Sequence, residues 1–228
     1  GLGIGGLTKG RLLVLLLGAM TLFSFLHLTS LIKVYASSLH LHRGTEQLLR
    51  GDLPGAAASF ERALEVNPRD PEIHGALASA YASLGMKEGA IELAKRGKHG
   101  FSSPGLYRFL GGLHYDLGNF QEAEKEYQEG IAIFPGHAPL HAAYGALLAK
   151  VGRYPEALAS LLKAKALDPS YPDTYHYLGY LYSLTRQPRE ALFAFREFLR
   201  FADPRDPRLG QVRALMGRLR EGRGGSPE

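Results

Sequence analysis

Hydrophobic residues follow two different patterns along this chain. From Leu12 to Ile32 they form an almost unbroken run of 21 residues without Asp, Glu, Lys or Arg. From residue 37 onward, small and apolar residues instead recur with a period of about 34 residues, and most of the periods end near a proline. The first pattern indicates a helix long enough to cross a bilayer, and the second indicates repeated pairs of helices. We therefore predict an all-α protein.

Basic residues flank the apolar run, with Lys9 and Arg11 before it and Lys33 after it. The run is longer than the ~7–15 apolar residues of a signal-peptide core. We therefore expect an uncleaved transmembrane signal-anchor helix over 12–36. Two alternatives stay open, which are cleavage after Val34–Ala36 and a core helix buried inside the protein.

The same basic residues also indicate on which side of the membrane the rest of the chain lies. Basic residues tend to stay on the cytoplasmic side. Lys9 and Arg11 lie on one side of the run, whereas Lys33 and Arg43, together with Glu46, lie on the other. This balance slightly favours an extracytoplasmic, periplasmic position for the rest of the chain, with a cytoplasmic position as the alternative.

His27 lies inside the predicted span. Ionisable side chains within a bilayer are candidates for function, so His27 is a candidate intramembrane contact or ligand, either for a haem or chlorophyll or for a neighbouring helix. The simpler interpretation is a neutral imidazole near one interface, bonded to a backbone carbonyl or a lipid headgroup.

Each period of the repeat carries a glycine, an alanine five residues later, a bulky apolar residue four residues after that, and a proline. Three periods show the whole pattern: Gly51, Ala56, Phe60 and Pro68; Gly118, Ala123, Tyr127 and Pro135; Gly152, Ala157, Leu161 and Pro169. Two further periods show part of it: Gly85, Ala90 and Ala94; Arg186, Ala191 and Phe195. The small residues lie where two helices of a pair would meet, and only small side chains let the backbones approach.

The first half of each period has its own pattern, and Tyr175, Leu178, Gly179 and Tyr182 show it best. Together the two halves resemble the tetratricopeptide repeat (TPR) family. The resemblance implies a right-handed superhelical solenoid of about five helix–turn–helix repeats over 37–205. The repeats are expected near 37–70, 71–103, 104–137, 138–171 and 172–205.

The two ends of the chain complete the predicted organisation. A short tail over 1–11 precedes the anchor. A capping helix is expected over 206–221, because Leu209, Val212 and Met216 fall on one face at helical spacing, with Arg208 and the other arginines outward. A disordered tail is expected over 222–228.

The resemblance also implies which positions line the concave groove of the solenoid. Six candidate partner-binding residues fall there: Arg108, Tyr115, Asp116, Lys150, His176 and Tyr180. Tyr177 is expected to pack between repeats instead. Tyrosine and arginine are common interface anchors, so the groove is expected to bind a peptide or an amphipathic helix of a protein partner.

Composition and charge argue against several other functions. The chain has no cysteine, which excludes disulfides, thiolate metal sites and covalent c-type haem. Its net charge of +5 comes from its two ends, so the body lacks the basic face typical of nucleic-acid binding. No catalytic motif or metal-ligand cluster is found in the sequence. We therefore expect no enzyme activity, no metal, no cofactor and no nucleic-acid partner.

These observations lead to one principal functional hypothesis. The chain is expected to be a single-pass membrane adaptor or scaffold that binds a protein partner and helps to assemble or organise a membrane or envelope complex. One alternative is a permanent structural subunit of a larger, hetero-oligomeric electron-transfer, photosynthetic or secretion complex. Another is self-association through stacking of the solenoids.

Overall fold

The computed structural model describes residues 9–98 and 102–222, with side chains from residue 14 onward. Within these ranges the chain forms eleven α-helices and no strand, so the predicted all-α fold is confirmed. The chain divides into two compact units, Gly1–Gly100 and Phe101–Glu228, called unit 1 and unit 2 below. Most of the predicted tail over 1–11 and nearly all of the predicted tail over 222–228 lie outside the described residues.

Unit 1 consists of antiparallel helical hairpins. Its helices are α1 (Lys9–Leu49), α2 (Leu53–Val66), α3 (Pro71–Ser83) and α4 (Lys87–Lys98). In α1 the predicted anchor and the first helix of the first repeat form one helix of 41 residues. The backbone therefore has no linker between the apolar run and the repeats.

Unit 2 consists of three further hairpins and a final helix. Its helices are α5 (Pro104–Asp116), α6 (Phe120–Ile133), α7 (Ala138–Lys150), α8 (Tyr154–Leu167), α9 (Pro172–Leu184), α10 (Pro188–Phe201) and α11 (Leu209–Arg220). Each helix packs on the next, and the first helices of successive hairpins also pack directly on one another, α5 on α7 and α7 on α9. The first helices thus form one layer of unit 2, called the inner layer below, and α6, α8 and α10 form the outer layer.

The apolar part of α1 extends beyond the packed hairpins. Its large side chains from Val14 to Ile32 are all more than half exposed, and burial begins only at Ser37, which is 3% exposed. This part is therefore not a core helix of the described structure. The helix is long and apolar enough to cross a membrane.

Short turns with a repeated backbone conformation join the two helices of each hairpin. Gly51, Gly85, Gly118 and Gly152 occupy equivalent turn positions, and all four have φ between 78° and 82°. Arg186 occupies the same position in the last hairpin with φ of 58°. A side chain is strained in this left-handed region, so four glycines fit the turn and Arg186 departs from the pattern.

A second repeated feature brings the two helices of a hairpin close together. A glycine on the first helix receives a bulky side chain from the second helix, sixteen positions later along the chain. The pairs are Gly44 and Phe60, Gly111 and Tyr127, Gly145 and Leu161, and Gly179 and Phe195. The equivalent residues of the second hairpin, Ala78 and Ala94, are both buried. Each pair therefore sets the spacing of its hairpin through one small residue.

Three histidines are buried inside the repeats, namely His74, His114 and His141. The Nδ1 of His74 lies 2.8 Å from the carbonyl oxygen of Asp70, and the Nε2 of His141 lies 2.9 Å from that of Pro135. These two rings therefore hold the turns that precede their helices.

Candidate functional site

The predicted site residues lie mainly on the inner layer of unit 2. Arg108, Tyr115 and Asp116 belong to α5, and His176 and Tyr180 belong to α9. Lys150 is the last residue of α7 and is exposed. Outside unit 2, the remaining candidate, His27, lies on the exposed part of α1, where its ring stacks on Phe23 with centroids 6.3 Å apart.

The α5 residues form the first part of this surface. Arg108 and Asp116 are exposed, whereas Tyr115 is half-buried, with its ring against the edge of Phe120 at 5.8 Å between centroids. Burial, and then the nearby Asp116 carboxylate, raises the pKa of the Tyr115 phenol. Tyr115 therefore stays protonated at neutral pH and keeps a hydrogen-bond donor.

The α9 residues form a compact aromatic cluster. The His176 ring lies 4.9 Å from Tyr180, 5.5 Å from Tyr177 and 5.1 Å from Phe198, measured between ring centroids. His176 is only 9% exposed, and neither of its ring nitrogens has a hydrogen-bond partner. Burial, and then the Arg208 charge, lowers the pKa of His176 to about 4. The ring is therefore neutral at physiological pH, and its plane lies at 67° to Tyr177, 70° to Tyr180 and 50° to Phe198.

Tyr177 connects the two parts of the surface. It is in ring contact with His176, and its phenol interacts electrostatically with Arg108 and Tyr115 on α5. The pKa of Tyr177 is raised chiefly by burial and then by Asp173. Tyr177 therefore lies between the two groups of candidate residues.

Arg208 is a further residue of this surface that sequence reasoning missed. It was expected on the outward face of the capping helix, but its guanidinium is half-buried and lies 2.8 Å from Asp173 and 2.7 Å from Asp206. It also lies over the Phe198 ring, 5.2 Å from the centroid. The sequence Asp206–Pro207–Arg208, a short turn before α11, was the available signal, because its acid and base are close enough to pair.

The arrangement favours binding over chemistry. No group of three or more His, Cys, Asp or Glu side chains that could hold a metal ion occurs among the residues that the structure describes. The surface instead offers phenol hydroxyls, an exposed guanidinium on Arg108 and aromatic faces. Groups of this kind bind polypeptides through hydrogen bonds and stacking.

Comparison with family models identifies the repeats. Models described as tetratricopeptide repeat match residues 41–105 and 104–137, and a model described as TPR repeat matches residues 145–185. Proteins built from these repeats are typically non-catalytic scaffolds for protein–protein interaction.

Known proteins and structures agree with these models. A thermophilic TPR protein of Thermus thermophilus is 28% identical, with a TM-score of 0.66 over 82% of this chain and 100% of that one. YrrB, a TPR protein with an unusual peptide-binding site, is 18% identical, with a TM-score of 0.55 over 77% of this chain and 90% of that one, which shows the fold alone.

The curated relatives are much longer proteins. The human protein O-mannosyl-transferase TMTC2 is 33% identical over 116 residues, which are 46% of this chain and 14% of the relative. The chain therefore spans only a small part of that relative's length.

Proposed function

Because the chain belongs to the tetratricopeptide repeat family, we propose that it is a membrane-anchored adaptor that binds a protein partner on the inner layer of unit 2. The partner is a peptide or an amphipathic helix, and its binding helps to assemble or organise a membrane or envelope complex. One observation carries the proposal, which is that the exposed apolar helix α1 continues without a break into the first hairpin. An anchored adaptor meets membrane partners at high effective concentration, so modest contacts suffice.

We also propose a domain organisation and a sidedness. Residues 12–36 span the membrane, residues 37–205 form five repeats, and residues 206–221 cap them. The repeats lie on the extracytoplasmic side, supported by Lys9 and Arg11 before the span. Labelling of single cysteines in intact cells tests the sidedness, because the natural chain has none.

The partner-binding surface is tested by photo-crosslinking in native membranes. A photoreactive residue at Arg108 should crosslink a distinct protein, and one at the exposed Arg196 of α10 should not. Tyr115→Ala and Tyr180→Ala should each weaken capture about tenfold or more. Tyr154→Ala, on the outer layer at the start of α8, is the matched control and should leave capture unchanged. Equal crosslinking from both layers would contradict the proposed surface.

A second candidate function is a permanent subunit of a larger complex. It is favoured by a groove between α8, α9 and α10 of unit 2, lined by Leu162, Lys165, Tyr182 and Phe193. Phe193 is 54% exposed, and the Lys165 ammonium lies 5.9 Å from the centroid of its ring. Fixed stoichiometry after gentle solubilisation and high salt would favour this function, whereas loss of the partner in salt would favour the adaptor.

A further inference from the structure

We propose that the end of unit 1 from which the apolar part of α1 emerges rests on the membrane surface, and that its basic side chains bind anionic lipid headgroups. The inference rests on the proposed membrane anchor and goes beyond it. A tethered domain need not touch the bilayer, and this one is placed there by the register of its helices.

The register of α1 and α2 fixes which part of unit 1 is nearest the membrane. The two helices are antiparallel, with Gly44 against the Phe60 ring and the Ser59 hydroxyl donating to the Gln47 side chain at 2.6 Å. Following this pairing along both helices brings the end of α2 level with Ser37. The turn over 67–70 is therefore level with the point where α1 leaves the hairpins.

The distance along α1 from the level of Ser37 to the hydrocarbon core of the bilayer is short. The apolar run ends at Ile32, five residues before Ser37. A helix rises 1.5 Å per residue, so the separation along α1 is roughly 7–8 Å. The headgroup layer adds about 5–8 Å on each side of a ~30 Å hydrocarbon core. The turn over 67–70 is therefore at headgroup depth, and because α1 is one continuous helix, no linker lets unit 1 move away.

The last turn of α4 lies at the same end of unit 1. A Cβ atom placed on Gly97 would lie 3.1 Å from the His74 Cβ and 3.5 Å from the Pro71 carbonyl oxygen, so the end of α4 packs beside the start of α3. Three basic residues occupy this last turn: Lys95, Arg96 and Lys98. Helix α4 thus brings its basic end to the same level as the turn over 67–70.

The charges at the two ends of unit 1 differ. The membrane-facing end carries five bases, Lys33, Arg69, Lys95, Arg96 and Lys98, and four acids, Glu65, Asp70, Glu72 and Glu92, of which Glu92 pairs with Arg96 at 2.6 Å. The carboxylate of Asp70 is engaged, because it accepts hydrogen bonds from the Glu72 backbone N–H at 2.9 Å and the Asn67 amide at 3.1 Å. The opposite end carries Arg50 and Lys87 against Glu46, Asp52 and Glu88. Bases therefore outnumber acids only at the end that faces the bilayer, which is the arrangement that attracts anionic lipid.

A pair of single-cysteine variants tests the position of unit 1. Glu72→Cys and Glu88→Cys are matched, because both replace an exposed acid at the second residue of a helix, at opposite ends of unit 1. Each full-length variant carries an environment-sensitive fluorophore and is reconstituted into phosphatidylcholine vesicles with or without phosphatidylglycerol. Headgroup-attached quencher lipids should quench the label at position 72 severalfold more than the label at position 88.

Charge reversal tests the role of the basic side chains. Arg69→Glu with Lys95→Glu should remove the extra quenching at position 72 that phosphatidylglycerol produces. Arg50→Glu with Lys87→Glu, at the far end, is the matched control and should leave it unchanged. Circular dichroism of both double variants checks that they keep their helices.

The experiments distinguish failure of the membrane anchor from failure of the surface contact and from failure of lipid binding. If the chain neither floats with the vesicles nor resists alkaline extraction, the anchor is wrong and this inference falls with it. If the chain is inserted but the label at position 72 is quenched no more than the label at position 88, the anchor stands and only the surface contact is overturned. If quenching at position 72 changes neither with anionic lipid nor with charge reversal, the basic side chains do not bind anionic lipid headgroups as proposed.

Discussion

At the scale of single residues, the close approach of paired helices depends on glycine at one position of α5 and not at its neighbour. A Cβ on Gly111 would lie 2.3–2.7 Å from three atoms of the Tyr127 ring, whereas a Cβ on Gly112 would meet nothing within 4 Å. We expect Gly111→Ala to destabilise the protein by about 1–3 kcal/mol through overpacking. Gly112→Ala should stabilise it by about 0.5–1 kcal/mol through helix propensity. Urea unfolding in detergent measures both, and equal effects would contradict the packing argument.

At the turn residue Arg186, by contrast, we expect that introducing a glycine stabilises the protein. Its φ of 58° lies where the other hairpins use glycine. Arg186→Gly removes the steric strain of the side chain and should stabilise unit 2 by about 1 kcal/mol. Gly152→Ala, at the equivalent turn with φ of 82°, should destabilise it by a similar amount or more. Thermal melting of the two variants beside the natural chain measures both, and a loss of stability in Arg186→Gly would show that its side chain contributes more than its strain costs.

The buried His176 makes stability depend on pH. Its pKa is lowered to about 4 in the folded protein, against about 6.5 in an unfolded chain, so the unfolded chain binds this proton more tightly. The stability is full above pH 6.5 and is lost as the pH falls from about 6.5 towards 4, by at most about 1.4 kcal/mol per pH unit. His176→Phe keeps an aromatic ring without the titration, so this part of the pH dependence should disappear. His42→Gln, an exposed residue of α1, is the control, and a pH profile unchanged by His176→Phe would exclude the mechanism.

At the scale of helices, the sequence predicted the hairpins well because their main determinants are local. The glycines of the turns, the prolines near the ends of the periods, and the small residues where paired helices meet are all readable along the chain. The residues that line the inner layer could also be predicted from the sequence, because equivalent positions of successive repeats lie side by side in that layer. The environments of His176 and Arg208 were not, because they depend on contacts among α9, α10 and the start of α11.

The contacts of Arg208 lead to a prediction about the final helix. Arg208 joins the start of α11 to Asp173 on α9 and to Asp206. Arg208→Ala should cost about 0.5–1 kcal/mol, since the pair with Asp173 is only partly buried, and should speed hydrogen exchange in α11. Asp173→Ala should give a similar change, and the double variant little more than either single variant. Additive effects would show that the two side chains do not act as a pair.

At the scale of the whole molecule, α1 joins the proposed membrane helix and the first helix of the repeats in one uninterrupted helix. Along a continuous helix, both the height of unit 1 above the bilayer and its rotation are fixed by the 1.5 Å rise and 3.6 residues per turn. A flexible tether would fix neither. Unit 1, held in this way, presents the same surface to neighbouring membrane proteins at all times, which lowers the orientational cost of the contacts that it makes with them.

This rigidity is tested by an insertion between Ala36 and Ser37. Six residues of Gly and Ser placed there should leave the chain in the membrane and the hairpins folded, because burial begins only at Ser37. The distribution of distances between a label on Glu72→Cys and labelled headgroups should broaden, because Gly/Ser segments behave as flexible coils. Six alanines at the same site keep the helix and should give a narrow distribution at a greater distance, about 9 Å further along α1. Partner capture that falls with the flexible insertion and persists with the helical one would show that the fixed orientation matters, whereas equal distance distributions for both would show that α1 does not act as a rigid support.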